Sequence, residues 1–195
     1  MPARSRLVTS MEAFLVSAGL VAIAEIGDKT QLLAMILAAR YHKPVPIILG
    51  ILVATLVNHA AAASVGAAVA AYVGPQIMRW IVGGLFIVMA GWCLIPDKPD
   101  EGPKTVGTLG AFFATVVAFF LVEMGDKTQI ATVALAARFQ NVLTVTAGTT
   151  VGMLLANVPG VLFGDVLTKR IPLQWVRIGA AVSFVVLGIL ALAIG

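Results

Sequence analysis

The chain is poor in the residues that zinc proteins and most enzymes depend on. It has one cysteine, Cys93, so no internal disulfide can form, and two histidines, so no His/Cys cluster argues for zinc or copper. Charged residues make up 11% of it, against about 25% in soluble domains. Its lysines and arginines stand singly near the ends of apolar runs, with no basic cluster interleaved with aromatics, so nucleic acid is not an expected partner. No nucleophile–base pairing, cofactor loop or phosphate-binding loop is present. The sequence therefore supports no hydrolytic or redox enzyme and calls for no cofactor.

What fills the chain instead is apolar. Of 195 residues, 60% are hydrophobic, and the mean hydropathy is +1.02. This composition predicts an all-α integral membrane protein whose main partner is the lipid bilayer. A span needs about 20 apolar residues, and six can be placed: Met11 to Ala39, Pro46 to Val73, Ile77 to Ile95, Val106 to Ala137, Val142 to Leu167 and Leu173 to Ile194. Arg4 and Arg6 ahead of an apolar run resemble a signal peptide, but cleavage near Ala22 or Ala24 would sever the first span beside Glu25, so the segment reads as retained.

One heptapeptide occurs twice. Glu25-Ile26-Gly27-Asp28-Lys29-Thr30-Gln31 returns as Glu123-Met124-Gly125-Asp126-Lys127-Thr128-Gln129, an offset of 98 residues. The match extends outward: Leu37 to Arg40 repeats as Leu135 to Arg138, Gly50 as Gly148 and Gly66 as Gly164. The chain thus divides into a first three-helix repeat (1–95), a polar linker (96–105) and a second three-helix repeat (106–195). An odd number of crossings per repeat forces opposite orientations, giving six transmembrane helices as a 3+3 inverted-topology repeat with a site near the midplane. Arg4, Arg6, Arg79 and Arg138 then fall on the side of the termini, and Arg40, Lys43, Lys98, Lys104, Lys169, Arg170 and Arg177 on the other. That excess places the linker inside the cell.

Carboxylates and ammonium groups at membrane depth cost several kcal/mol unless paired, hydrated or bound to something. On a continuous helix, at about 100° per residue, Gln31, Asp28, Glu25 and Lys29 share roughly one half of the surface, and Thr30 points elsewhere unless the helix is interrupted. Gly27 permits an interruption without demonstrating one. Two such arcs facing each other would gather Glu25, Asp28, Glu123 and Asp126 with the amides of Gln31 and Gln129 and the ammonium groups of Lys29 and Lys127. The four acids and two lysines carry a formal charge of −2. Hard oxygen donors suit Ca²⁺, Mg²⁺ or Mn²⁺. Without the ion, four crowded acids cannot all stay ionised, so protons enter as metal leaves. The lysines are either fixed counter-ions, paired at spacing i, i+4 with Glu25 and Glu123, or cations that swing onto the acids when the metal departs.

These paired Glu-x-Gly-Asp-Lys-Thr stretches resemble the signature E-x-G-D-(K/R)-(S/T) of a small family of membrane cation/proton antiporters, which carries it once in each three-helix half. Its members include bacterial manganese exporters and Golgi and chloroplast manganese/calcium transporters. The resemblance covers essentially the whole chain. It implies that Glu25, Asp28, Glu123 and Asp126 bind the ion, and that Thr30 and Thr128 occupy the family's hydroxyl positions. It implies export of Mn²⁺ in exchange for protons, with a Ca²⁺/H⁺ antiporter, and behind it a cation channel, as alternatives. An exporter of organic solutes would want an apolar pocket and an unpaired cation, which this acidic site lacks. The short linker and the lack of a long N-terminal extension look bacterial, which places a multi-pass protein in the cell inner membrane. Alternating access is expected from one half rocking against the other, and a homodimer is one assembly the sequence allows.

Other polar residues have plainer readings. Asn58 and Asn157 are either amide ligands or interhelical hydrogen bonds. His59 lacks a counterpart histidine in the second half and reads as structural rather than as a proton carrier. Asp165 reads as interfacial, and Asp97, Asp100 and Glu101 as a solvated loop. Met35, Met89 and Met153 read as packing, and Ala60 to Ala63 and Gly83-Gly84 as surfaces for close helix approach.

Overall fold

The structure is a computed structural model that describes residues 3–95, 110–164 and 173–194, the side chains of 3–8, 173 and 194 excepted. The linker with Asp97, Asp100 and Glu101, and the segment holding Asp165, Lys169 and Arg170, lie outside the described residues. Among the described residues the chain is entirely helical: α1 Ala3–Glu25, α2 Lys29–Tyr41, α3 Pro44–Tyr72, α4 Pro75–Cys93, α5 Ala111–Glu123, α6 Lys127–Phe139, α7 Val142–Phe163 and α8 Leu173–Ile194. Pro44 and Pro75 open α3 and α4, where the missing N–H costs nothing.

The first and fourth expected spans are not continuous helices. Each is broken inside the heptapeptide, and α1 and α2 meet at an angle of 71°. By length and composition α3, α4, α7 and α8 can each cross a membrane, and the bent α1/α2 pair makes a fifth crossing. The expected sixth is the pair α5/α6, in which α5, with 13 residues, is too short to cross alone. The polarity is inverted relative to a soluble protein. Leu15, Val57, Val65, Val88, Phe113 and Leu155 face outward, whereas Glu25, Asp28, Glu123, Asp126 and Lys127 are buried. Outward-facing apolar side chains around buried charge mark a multi-pass membrane protein.

The principal packing faces run between the halves of the sequence rather than within them. Helix α1 lies against α7, α3 against α5, α6 and α7, α4 against α8, and α2 against α7. Within a half, α2 touches α3 and α6 touches α7 less extensively. The contacts also repeat. A Cβ on Gly50 would stand 2.9 Å from the Phe112 carbonyl and 2.7 Å from Thr115; one on Gly148 would stand 2.6 Å from the Phe14 carbonyl and 2.9 Å from Ser17. Each residue of the second set is its counterpart in the first shifted by 98. Phe86 and its counterpart Phe184 meet each other, ring centroids 6.0 Å apart, in the α4–α8 core. Contacts that map onto themselves under the repeat are those an approximate twofold axis generates.

Candidate metal-ion site

The heptapeptide encodes its own helix break. Helix α1 ends at Glu25 and α5 at Glu123. Gly27 and Gly125 then take φ values of 80° and 75°, in the left-handed region open to glycine at little cost. Asp28 and Asp126 follow in extended conformation as the N-caps of α2 and α6. The amide oxygen of Gln31 accepts from Gly27 N at 3.0 Å, and that of Gln129 accepts from Gly125 N at 2.7 Å. The glutamines thereby satisfy the backbone groups that the break sets free.

The break brings the motif's polar residues to one place. Thr30, which a continuous helix would aim elsewhere, donates its hydroxyl to Glu25 Oε2 at 2.5 Å, and Thr128 donates to Glu123 Oε2 at 3.1 Å. The lysines do not pair at i, i+4. Lys29 Nζ lies 3.1 Å from Asp126 Oδ1, and Lys127 donates to Asp28 Oδ1. The two ion pairs cross between the repeats and are counterparts of each other. Oxygens of Glu25, Asp28 and Asp126 lie within 4.8 Å of one another. At metal–oxygen distances of about 2.0–2.6 Å, two oxygens on opposite sides of one ion stand about 4–5 Å apart. Glu123 is fully buried and close enough to interact electrostatically with Asp126 and Asp28.

Oxygen acceptors remain unused. Glu25 Oε1, Glu123 Oε1 and Asp126 Oδ2 are buried and lack a hydrogen-bond donor. Buried acceptors are nearly always satisfied, so the unmatched oxygens of Glu25 and Asp126, which group with Asp28, suit a hard divalent cation, while Glu123 lies outside that three-acid group. The amides are placed differently from the acids. Gln31 also donates to the Ala156 carbonyl at 2.6 Å. Asn58 donates to the Phe120 carbonyl at 3.1 Å, and Asn157 to the Met153 carbonyl at 3.0 Å, its Oδ1 staying without a donor. His59 is buried, and neither ring nitrogen has a hydrogen-bond partner. Arg177, which in sequence reads only as an orientation charge, lines a small polar cavity with Gly27, Asp28, Lys127 and Cys93. It repeats Arg79, which carries no site role in the sequence either, so the offset does not reveal it.

Acidic oxygens gathered at membrane depth inside a helical bundle define an ion-coupled membrane transporter. The profile of the family described as divalent cation/proton antiporter GDT1 matches residues 13–101 and 111–195. The chain belongs to that family. It is 52% identical, over 86% of its length and 84% of the relative's, to a Vibrio cholerae protein described as a candidate manganese exporter. It is 28% identical, over 93% of its length and 96% of the relative's, to GDT1-like protein 5 of Arabidopsis thaliana. No solved structure gives a significant match.

Proposed function

We propose that the chain exports Mn²⁺ across a bacterial inner membrane in exchange for protons, as six spans in a 3+3 inverted repeat. Glu25, Asp28, Glu123 and Asp126 are its ion ligands. The observation that carries this reading is the pair of crossed contacts, Asp28–Lys127 and Asp126–Lys29, which join both motifs beside buried acid oxygens that lack donors. The Vibrio relative's description favours manganese over calcium.

In this reading Mn²⁺ sits among the acid oxygens, with Thr30 and Thr128 fixing the outer oxygen of each glutamate so that the other faces the ion. Gln31 and Gln129 hold the breaks rather than the ion. When Mn²⁺ departs, four carboxylates in a dry site repel one another, and protons replace the lost charge. The lysines keep the net charge of the ion-free site low and stay fixed on the aspartates. Rocking of whole halves does not suit the packing, because the helices of one half rest on those of the other. Access changes instead by motion of interleaved helix groups around the α3–α7 contact.

The test is flux into proteoliposomes under an imposed pH gradient, with Mn²⁺ and Ca²⁺ offered separately. Mn²⁺ uptake that follows the gradient, and its loss in Asp28→Asn and Glu123→Gln with both variants inserted and folded, Asp28→Asn at a lowered unfolding temperature and Glu123→Gln at the parent's, are the expected results. Flux indifferent to the gradient would leave a channel, and normal flux in both variants would remove the site.

A further inference from the structure

At the other end of α6, away from the acid site, four helices enclose a cavity of about 230 Å³. Arg79 from α4 and Arg138 from the last turn of α6 line it, together with Gln140. Met78, Val82 and Ala191 form an apolar wall. The N-terminus of α4, at Pro75, opens onto the same space and adds the positive end of its helix dipole. Exposed Tyr72 and Trp80 flank it, and the Arg79 guanidinium stacks on the Trp80 ring at 5.5 Å. Aromatic residues of this kind sit at the headgroup level of a bilayer.

The pairing of these arginines is not a by-product of the repeat. Their counterparts are Arg177 and Arg40. Arg177 lines the polar cavity beside Asp28, and Arg40 stacks on Tyr41 at 5.7 Å. Where α3 and α6 finish and α4 begins, two arginines, a glutamine and apolar residues line one cavity. Guanidinium groups bind phosphate oxygens through paired, charge-assisted hydrogen bonds.

We propose that Arg79, Arg138 and Gln140 form a binding site for a phosphate anion, carried by the headgroup of an anionic phospholipid whose glycerol and upper acyl carbons cover Met78, Val82 and Ala191. A lipid fits better than a soluble phosphate because it fills the apolar wall as well as the basic edge. Bound there, it ties α4 to α6, the helix that begins at Asp126 and Lys127. It therefore reaches the ion site through one rigid element.

The experiment uses the full chain, purified in a neutral detergent, with dioleoylphosphatidylglycerol, dioleoylphosphatidylcholine and inorganic phosphate as separate probes. Native mass spectrometry reads bound lipid, and thermal unfolding reads the coupling. Phosphatidylglycerol should be retained and should raise the unfolding temperature, while phosphatidylcholine does neither. Arg79→Gln with Arg138→Gln should weaken retention roughly tenfold or more, the scale of losing charge-assisted hydrogen bonds. Arg40→Gln should leave retention unchanged, and Arg79→Lys with Arg138→Lys should restore part of it, which separates lost charge from a misfolded variant. Stabilisation by millimolar phosphate alone, abolished by the same glutamine pair, would keep the anion site and assign it to a soluble ion. Equal retention of phosphatidylcholine, or an equal loss in Arg40→Gln, would overturn the proposal.

Discussion

The two crossed ion pairs are counterparts by sequence but not by environment, and that difference fixes an unequal response to losing either lysine. In the pair Lys127–Asp28 the side chains are 5% and 0% exposed; in Lys29–Asp126 they are 19% and 3% exposed. Removing one partner of a fully buried pair strands a charge and costs about 3–5 kcal/mol. Where water reaches one partner the cost falls toward the value of a surface pair, roughly 1–2 kcal/mol here. For a chain of this size 1 kcal/mol moves the unfolding temperature by about 2–4 °C. Lys127→Met should therefore lower it by roughly 10 °C, and Lys29→Met by a few degrees. Adding Asp28→Asn to Lys127→Met removes the buried acid together with its cation and should recover part of the loss. Transport should stay absent in that double variant, because Asp28 is also one of the proposed ion ligands. Thermal unfolding in detergent and Mn²⁺ flux in proteoliposomes measure the two effects separately. Equal destabilisation by the two lysine variants would refute the burial argument. Normal flux in the double variant would reduce the pair to a structural tie.

Two other perturbations test the geometry of the break and its surroundings. At Gly125 a Cβ meets nothing within 4 Å, so Gly125→Ala should cost only the left-handed conformation, about 1–2 kcal/mol, and Gly125→Asn less, with flux falling in the same order; a fully stable alanine variant would contradict the break. His59 has two buried nitrogens without partners, so His59→Leu should keep flux and raise stability by about 1 kcal/mol, whereas loss of flux in a stable variant would make the imidazole a proton carrier.

Sequence reveals which residues correspond, and less about where they point. The offset of 98 identifies both motifs and the glycine pairs; close helix contacts keep Gly50, Gly66 and Gly148 small, whereas Gly164 has room for a Cβ and is set by its positive φ. It left the break undecided, since glycine is also common inside membrane helices. The wheel drawn over Glu25 to Gln31 assumed the continuous helix that Gly27 ends, which is why it turned Thr30 away and set Lys29 beside Glu25. Gln31 and Gln129 look like ligands in sequence because an amide oxygen is one; that a backbone N–H would claim each oxygen appears only once Gly27 and Gly125 are left-handed. Arg177 was hidden for a different reason: its neighbours, Asp28 and Lys127, lie on separate parts of the chain.

Because α1 rests on α7 and α3 on α5, a chain of half this length would have little of its own to fold around. Residues 1–95 and 110–195 made as separate polypeptides should accumulate only when both are present, and either one accumulating alone would argue otherwise. If the repeat arose by duplication and the proposed inverted topology holds, the single-copy ancestor already needed a second molecule, upside down in the same bilayer, before it had an interior in which to hold an ion.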